Sequence, residues 1–157
     1  MILLFLFAGL LLAADEKHPV QQPIPFSHKT HTTAGVKCAD CHTMRKPGFA
    51  AGIPAEQVCM GCHTSVKADS PAIQKLAAYA SAKKPVPWVR VYNIPDYVWF
   101  SHAVHTKEAE IGCDVCHGPA GERDVLTKEK ATSMASCMEC HASRKAPNAC
   151  TVCHDTR

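Results

Sequence analysis

The feature that most limits the fold of this chain is a pentapeptide pattern that occurs five times. In each copy, two cysteines are separated by two residues and the second cysteine is followed directly by histidine. The motifs occupy residues 38–42, 59–63, 113–117, 137–141 and 150–154, and we number them one to five in that order. They use all ten cysteines of the 157-residue chain and five of its ten histidines.

Cys-x-x-Cys-His is the attachment signature of c-type haem, in which both thiols form thioethers and the histidine ligates the iron. Five copies predict five covalently bound c-type haems. The attaching cysteines are Cys38, Cys41, Cys59, Cys62, Cys113, Cys116, Cys137, Cys140, Cys150 and Cys153, and the proximal ligands are His42, His63, His117, His141 and His154. Zinc knuckles are an alternative, but five knuckles do not pair into four-ligand sites. A disulfide framework gives no reason for a histidine after every second cysteine.

An internal repeat supplies candidates for the opposite side of each iron. The hexapeptide Phe-Ser-His-x-x-His occurs at residues 26–31 and again at 100–105, so that equivalent positions are 74 residues apart. Its two histidines are three residues apart, so on a helix they are neighbours that point in offset directions. Each pair is therefore expected to serve two different haems. The candidate distal ligands are His28, His31, His102 and His105.

The distal ligand of the remaining haem has two candidates. His18 lies in a mature N-terminal segment that could fold over a haem, and Met134 stands three residues before Cys137. Methionine ligation would raise the potential of that haem above that of a bis-histidine haem.

The N-terminal residues predict export from the cytoplasm. Residues 2–14 form an apolar run, broken only by Gly9, and end before Asp15. Thirteen helical residues reach about 20 Å, short of the ~30 Å hydrocarbon core. Residues 1–14 are therefore interpreted as a signal peptide or a short anchor, and the protein is expected in the periplasm or on the periplasmic face of the inner membrane.

The net charge and its distribution along the chain limit the classes of partner that the protein can have. The polypeptide is +3 at pH 7, from 17 basic and 14 acidic residues. Five ferric haems with ionised propionates would bring this to about −2. Basic residues outnumber acidic ones by 10 to 5 in residues 1–95, and acidic residues outnumber basic ones by 9 to 7 in residues 96–157. A dipolar electron carrier fits this balance, as does an ordinary solvated surface, whereas a nucleic-acid-binding protein does not.

The repeat divides the chain into segments. We expect a first two-haem module at residues 15–70, a helix and extended aromatic linker at 71–99, and a second module with three haems at 100–157. Ser70-Pro71 predicts a helix over residues 72–82. The aromatic residues of the linker are expected to pack on porphyrins: Trp88, Tyr92, Tyr97, Trp99 and Phe100. The predicted fold is mostly irregular, with short α-helices, few or no strands, and stacked covalent haems at its centre.

Phe-x-His-x-x-His before Cys-x-x-Cys-His resembles the class III multihaem cytochromes c, the c3 and c7 group. Residues 88–105 and 112–119 are similar to the pentahaem cytochrome subunit of alternative complex III. That resemblance implies that His28 pairs with His42 and His102 with His117, whereas His31 and His105 cross to other haems. It also implies a membrane quinol-oxidising complex as partner, with electrons passed to periplasmic acceptors.

The expected function is therefore electron transfer by an electron carrier or electron-transfer subunit, with no catalytic residues and no nucleic-acid partner. Two alternatives stay open at this point. One is a multihaem reductase, which needs one iron with an open distal face. The other is a polymerising extracellular cytochrome, a homopolymer in which a terminal histidine such as His18 ligates a haem of the neighbouring subunit.

Overall fold

A computed structural model describes residues 19–154 of the chain. The expected signal peptide or anchor at residues 1–14 and the candidate ligand His18 lie outside the described residues. Among the residues described, no helix is both long enough and apolar enough to cross a membrane.

Regular structure within residues 19–154 consists of short helices. The α-helices are α1 (His28–Thr33), α2 (Cys38–Cys41), α3 (Glu56–His63), α4 (Pro71–Ser81), α5 (Cys113–His117), α6 (Met134–Ser143) and α7 (Cys150–Cys153). A π-helical turn at Val104–Glu108 and a 3-10 turn at Ala120–Glu122 complete the set. In this part of the chain, β structure is limited to one antiparallel bridge between Val98 and His154. The predicted fold class is confirmed.

Local sequence signals account for the longest helix. The hydroxyl of Ser70 accepts a hydrogen bond from Ile73 N at 3.3 Å, and Pro71 occupies the first turn. Proline is tolerated there because its missing N–H would have no intrahelical partner. After Ala82 the backbone turns at Lys83, where φ is +53°. The helix predicted over residues 72–82 is confirmed as Pro71–Ser81, with both ends one residue earlier.

The aliphatic core of the described chain is small. Only Ile24, Leu76 and Val86 form a buried apolar cluster, at the place where α3 packs on α4. The carboxylate of Glu56 is buried beside them and accepts a hydrogen bond from Val86 N at 2.7 Å. Three buried side chains are too few to stabilise a chain of this length by themselves, because burial of apolar surface is the main favourable contribution to folding.

The two copies of the hexapeptide repeat each contact the opposite half of the chain. In the first half, α1 packs on the 3-10 turn Ala120–Glu122. The Lys29 amide donates to Arg123 O at 3.1 Å, and the Ser27 hydroxyl donates to Asp124 Oδ1 at 2.7 Å. The helix that carries His28 and His31 is therefore placed by the loop that follows motif 3.

The second copy makes the reciprocal contact. Ala103 N donates to Gly48 O at 3.0 Å, and the Thr106 hydroxyl donates to the sulfur of Met44 at 3.3 Å. The approach is close enough that a Cβ at Gly48, whose φ is +88°, would lie 2.4 Å from the Cβ of Ala103. Glycine is therefore required at this position, since any side chain would push the segment carrying His102 away.

Candidate haem-binding sites

Each Cys-x-x-Cys unit forms one helical turn. Motifs 1, 3 and 5 are short helices of their own (α2, α5 and α7), whereas motifs 2 and 4 lie within α3 and α6. The two cysteines of a turn are three residues apart, so their thiols share one face. All ten thiols are free and none is fully buried. The attachment chemistry predicted from sequence is therefore sterically accessible at every motif.

Four of the five motif histidines face an imidazole from the hexapeptide repeats. His28 faces His42 with ring centroids 6.3 Å apart, and His102 faces His117 at the same distance. In both pairs the rings are nearly parallel, with angles of 8° and 4°. The structure thus brings together both pairs that the resemblance implies.

The second histidine of each repeat turns to the next motif of its own half. His31 lies 6.1 Å from His63, with the ring planes 69° apart. His105 lies 6.0 Å from His141, at 43°. The offset within each i, i+3 pair therefore directs its two imidazoles toward different motifs.

These separations fit a haem iron. Two imidazoles on opposite sides of one iron need about 6.2 Å between ring centres, from two Fe–N bonds of about 2 Å and about 1.1 Å from each nitrogen to its ring centre. Within residues 19–154, no three His, Cys, Asp or Glu side chains converge on a point that could hold a metal ion.

Backbone carbonyls select the tautomer of most of these histidines. Because a carbonyl only accepts, an imidazole facing it must carry its proton on Nδ1, which leaves Nε2 free to bind iron. The Nδ1 atoms of seven histidines lie 2.6 to 3.4 Å from backbone carbonyl oxygens. These residues are His31, His42, His63, His102, His105, His141 and His154.

Burial favours the neutral form of the other two described histidines, His28 and His117. Desolvation lowers the pKa of His28, and the neighbouring His42 and His31 lower it further. Desolvation also lowers the pKa of His117, followed by the effects of His102 and His42. Neutral imidazole is the form that ligates a metal. Since His42 acts on both His28 and His117, the sites of motifs 1 and 3 are neighbours.

The thiols show how the other motifs are arranged. Burial raises the pKa of Cys59, and nearby Cys41 raises it further, which places motif 2 beside motif 1. Burial likewise raises the pKa of Cys113, and Cys38 adds to this both through its charge and as a hydrogen-bond partner.

The same effect continues through the second half. Burial raises the pKa of Cys116, with Cys140 and Cys137 as the next causes. Burial raises the pKa of Cys137, with Cys153 next. The motifs therefore follow one another in space in the order 2, 1, 3, 4, 5, which differs from their order in the sequence.

Motif 5 is held by the aromatic linker. The Nδ1 of His154 lies 3.4 Å from Tyr97 O, and Trp99 N donates to Cys153 O at 2.7 Å. The Tyr97 ring stacks against the His154 imidazole with centroids 6.1 Å apart. Because the Tyr97 carbonyl faces Nδ1 of His154, this hydrogen bond leaves Nε2 free. Among the described residues, no second imidazole ring contacts His154. Met134 begins α6 with its side chain 66% exposed.

Sequence reasoning did not find the groups that orient these rings. Gly52 O accepts a hydrogen bond from Nδ1 of His42 at 2.7 Å, and Phe49 O accepts one from Nδ1 of His102 at 2.8 Å. A backbone carbonyl has no signature in the sequence, so no pattern could have indicated it. Tyr92, one of the aromatic residues predicted to pack on porphyrins, contacts the imidazole of His117 edge-on with its ring at 4.5 Å.

Short helices, paired imidazoles and free Cys-x-x-Cys thiols together define a multihaem cytochrome c with covalently bound c-type haems. A family model described as cytochrome c7 and related cytochrome c matches residues 24–83 and 98–155. The chain belongs to this family.

Two curated proteins are similar along most of the chain. The multiheme cytochrome c subunit of menaquinone reductase from Nitratidesulfovibrio vulgaris (strain Hildenborough) is 34% identical over an alignment of 165 positions, which covers 85% of this chain and 77% of that protein. The multiheme cytochrome MtrA from Shewanella baltica is 25% identical over 133 residues, which cover 83% of this chain but 31% of that protein. The predicted multihaem class is confirmed by these matches.

Proposed function

We propose that the chain is a pentahaem electron-transfer cytochrome that carries electrons from a membrane quinol-oxidising complex to periplasmic acceptors. The observation that carries this proposal is the set of four facing imidazole pairs, each separated by 6.0 to 6.3 Å. Paired imidazoles leave an iron no free coordination position, which suits electron transfer and not substrate binding.

The roles of the residues follow from their placement. The ten cysteines hold five haems covalently, and each motif histidine supplies the proximal nitrogen. His28, His31, His102 and His105 supply the distal nitrogens for motifs 1, 2, 3 and 4. When bound, the haems supply one-electron redox chemistry. The carbonyls that accept from Nδ1 keep each imidazole oriented and basic, which lowers the redox potential of its iron.

The spatial order of the motifs supports a relay. Motifs 2 and 5 stand at the two ends of the series, so partners on either side of the molecule would meet different haems. Motif 2 lies within α3, which packs on α4, whereas motif 5 is flanked by Tyr97 and Trp99, which are 71% and 51% exposed. We infer that these two ends face different redox partners.

The fifth site has two candidate distal ligands, His18 and Met134. We propose His18 or Met134 for this position because residues 19–154 offer no further histidine. The reductase alternative depends on this site, since it is the one iron for which no facing imidazole is described.

The direction of electron flow has a second candidate. The relative from Nitratidesulfovibrio vulgaris is named as a subunit of a menaquinone reductase, so in that protein electrons go toward quinone. The same haem series would carry electrons from periplasmic donors to a membrane quinone site. Both directions place the chain at the periplasmic face of the inner membrane, as part of a complex.

The test is purification of the tagged holoprotein from native membranes in mild detergent. We expect an integral membrane subunit to co-elute and a menaquinol analogue to reduce the haems of that complex, measured by visible absorbance. The control is the cytochrome separated from its membrane subunit, which the quinol should reduce far more slowly. The proposal would be refuted if the menaquinol analogue did not reduce the haems and no membrane protein co-eluted. Reoxidation of the prereduced complex by menaquinone, without reduction by menaquinol, would establish the reverse direction.

A further inference from the structure

The proximal histidine of motif 3 is held differently from the other four. The Nδ1 atoms of His42, His63, His141 and His154 lie 2.7, 2.9, 2.6 and 3.4 Å from backbone carbonyl oxygens. In the described part of the chain, no hydrogen bond joins Nδ1 of His117 to an acceptor. The two halves of the repeat therefore differ at equivalent ligands, His42 and His117.

Tyr92 packs against this imidazole. Its ring centroid lies 4.5 Å from that of His117, with the two planes at 81°. The Tyr92 hydroxyl donates to the backbone carbonyl of His117 at 3.2 Å. Both the ring and the hydroxyl of one side chain thus act on the same ligand.

The same hydroxyl holds the loop that returns after motif 3. It accepts hydrogen bonds from Glu129 N at 3.0 Å and from Lys130 N at 3.2 Å. A phenol has one donor and two acceptor positions, so all of them are used. In the first half, the returning loop instead presents Gly52 O to His42 Nδ1 at 2.7 Å. The second half turns N–H groups toward Tyr92, and an N–H cannot accept a proton from an imidazole.

Other contacts keep this loop in place. Arg123 donates to both carboxylate oxygens of Glu129, from Nε at 2.5 Å and from a terminal nitrogen at 3.0 Å. Gly118 is buried with φ +68°, and a Cβ there would lie 3.2 to 3.5 Å from the Glu129 side chain. The backbone carbonyl of Arg123 also accepts a hydrogen bond from Lys29 N of α1. Tyr92 therefore acts within a braced structure and not on a free loop.

We propose that Tyr92 is a positioning residue that keeps the Nδ1 proton of His117 away from a carbonyl acceptor and so holds the third haem at a higher potential than the second and fourth, whose two imidazoles both donate to carbonyls. A histidine whose other N–H donates to a carbonyl is a more basic ligand and stabilises ferric iron. His63 and His141 have this support and His117 does not. The inference depends on the proposed role of His117 as an iron ligand.

The test is Tyr92→Phe in the holoprotein, which keeps the ring and removes three hydrogen bonds. Released from Tyr92, the loop and solvent can reach His117 Nδ1, so the third haem should become easier to oxidise. We expect the ratio of oxidised to reduced iron at a fixed potential to change by about fivefold, the effect of about one hydrogen bond. This corresponds to a midpoint about 40 mV lower, at about 59 mV per tenfold for one electron.

Potentials are measured by redox titration with EPR detection of the separate haems. His102→Ala identifies the third haem, because its iron should become high-spin in that variant. The matched control is Tyr79→Phe on α4, since the Tyr79 hydroxyl makes no hydrogen bond within the described residues. All five potentials should stay unchanged in the control.

An unchanged or raised potential of the third haem in Tyr92→Phe, with five haems retained, would overturn the inference. If that variant does not mature, hydrogen exchange of the wild-type holoprotein by NMR decides. The amides of Glu129 and Lys130 should be protected, and exchange of both at unprotected rates would also overturn it. Fewer than five covalent haems in the wild-type protein would count against the proposed function instead.

Discussion

Replacing His31 with alanine should change one haem in a specific place. The imidazole of His31 faces His63 at 6.1 Å, is stacked on Phe26 at 4.6 Å, and has Nδ1 2.7 Å from Ser27 O. Alanine removes the group that would ligate the iron of motif 2. The two thioethers from Cys59 and Cys62 should keep that haem bound, so the loss appears in spin state and potential and not in haem content.

The magnitude follows from one-to-one pairing. Each repeat histidine faces a single motif histidine, so His31→Ala should convert one iron in five to high spin. Integrated high-spin EPR intensity should increase by one fifth of total haem relative to the wild type. The potential of that haem should rise, because axial ligands tune haem potentials over ~0.8 V and one nitrogen donor has been lost. The reduced variant should bind one more carbon monoxide per chain than the wild type.

The assay compares His31→Ala with two variants in α1. Thr33→Ala changes an exposed side chain of the same helix and should leave all five haems unaltered. His28→Ala should instead affect the haem of motif 1, since His28 faces His42. The reasoning would be refuted if His31→Ala left every haem low-spin with unshifted potential, or if the new high-spin iron belonged to another motif.

Three further outcomes are expected. Mass spectrometry of the denatured protein should show five covalent haems per chain, and haem released by acid–acetone extraction would refute this. With four irons held between imidazoles, reduced wild-type protein should bind at most one carbon monoxide per chain at neutral pH, at motif 5; a higher stoichiometry would mean that a facing pair does not ligate. In the small apolar core, Leu76→Ala should lower the free energy of unfolding by about 2–5 kcal/mol, because Leu76 is only 5% exposed. The control Val125→Ala, at a side chain 57% exposed, should have an effect within about 0.5 kcal/mol, and denaturation curves that do not separate these two variants would show that the core contributes little.

Much of the local structure was predictable because its causes are local. The motif cysteines are three residues apart and form single helical turns, and the Ser70-Pro71 start of α4 was predicted to within one residue. The irregular fold with few strands followed from the presence of five haem motifs in a chain of 157 residues. The multihaem class is likewise confirmed by the family match.

The arrangement of the sites was only partly predictable. The i, i+3 spacing in residues 26–31 and 100–105 indicated that each pair serves two haems, and the family resemblance supplied the partners of His28 and His102. Neither the spacing nor the resemblance identified His63 and His141 as the residues whose rings face His31 and His105. The Tyr92 hydroxyl and its three hydrogen bonds had no signal in the sequence, because two of its partners are backbone N–H groups.

The sequence by itself therefore determined the cofactor chemistry, since thioether attachment and proximal ligation need only five consecutive residues. Tertiary structure alone decided the order of the motifs in space, the carbonyl that faces each imidazole and the difference between His42 and His117. Those features arise where distant segments meet, as when Lys29 N bonds to Arg123 O or Ala103 N to Gly48 O. Backbone atoms are the same at every residue, so only the fold determines which of them reaches a given side chain.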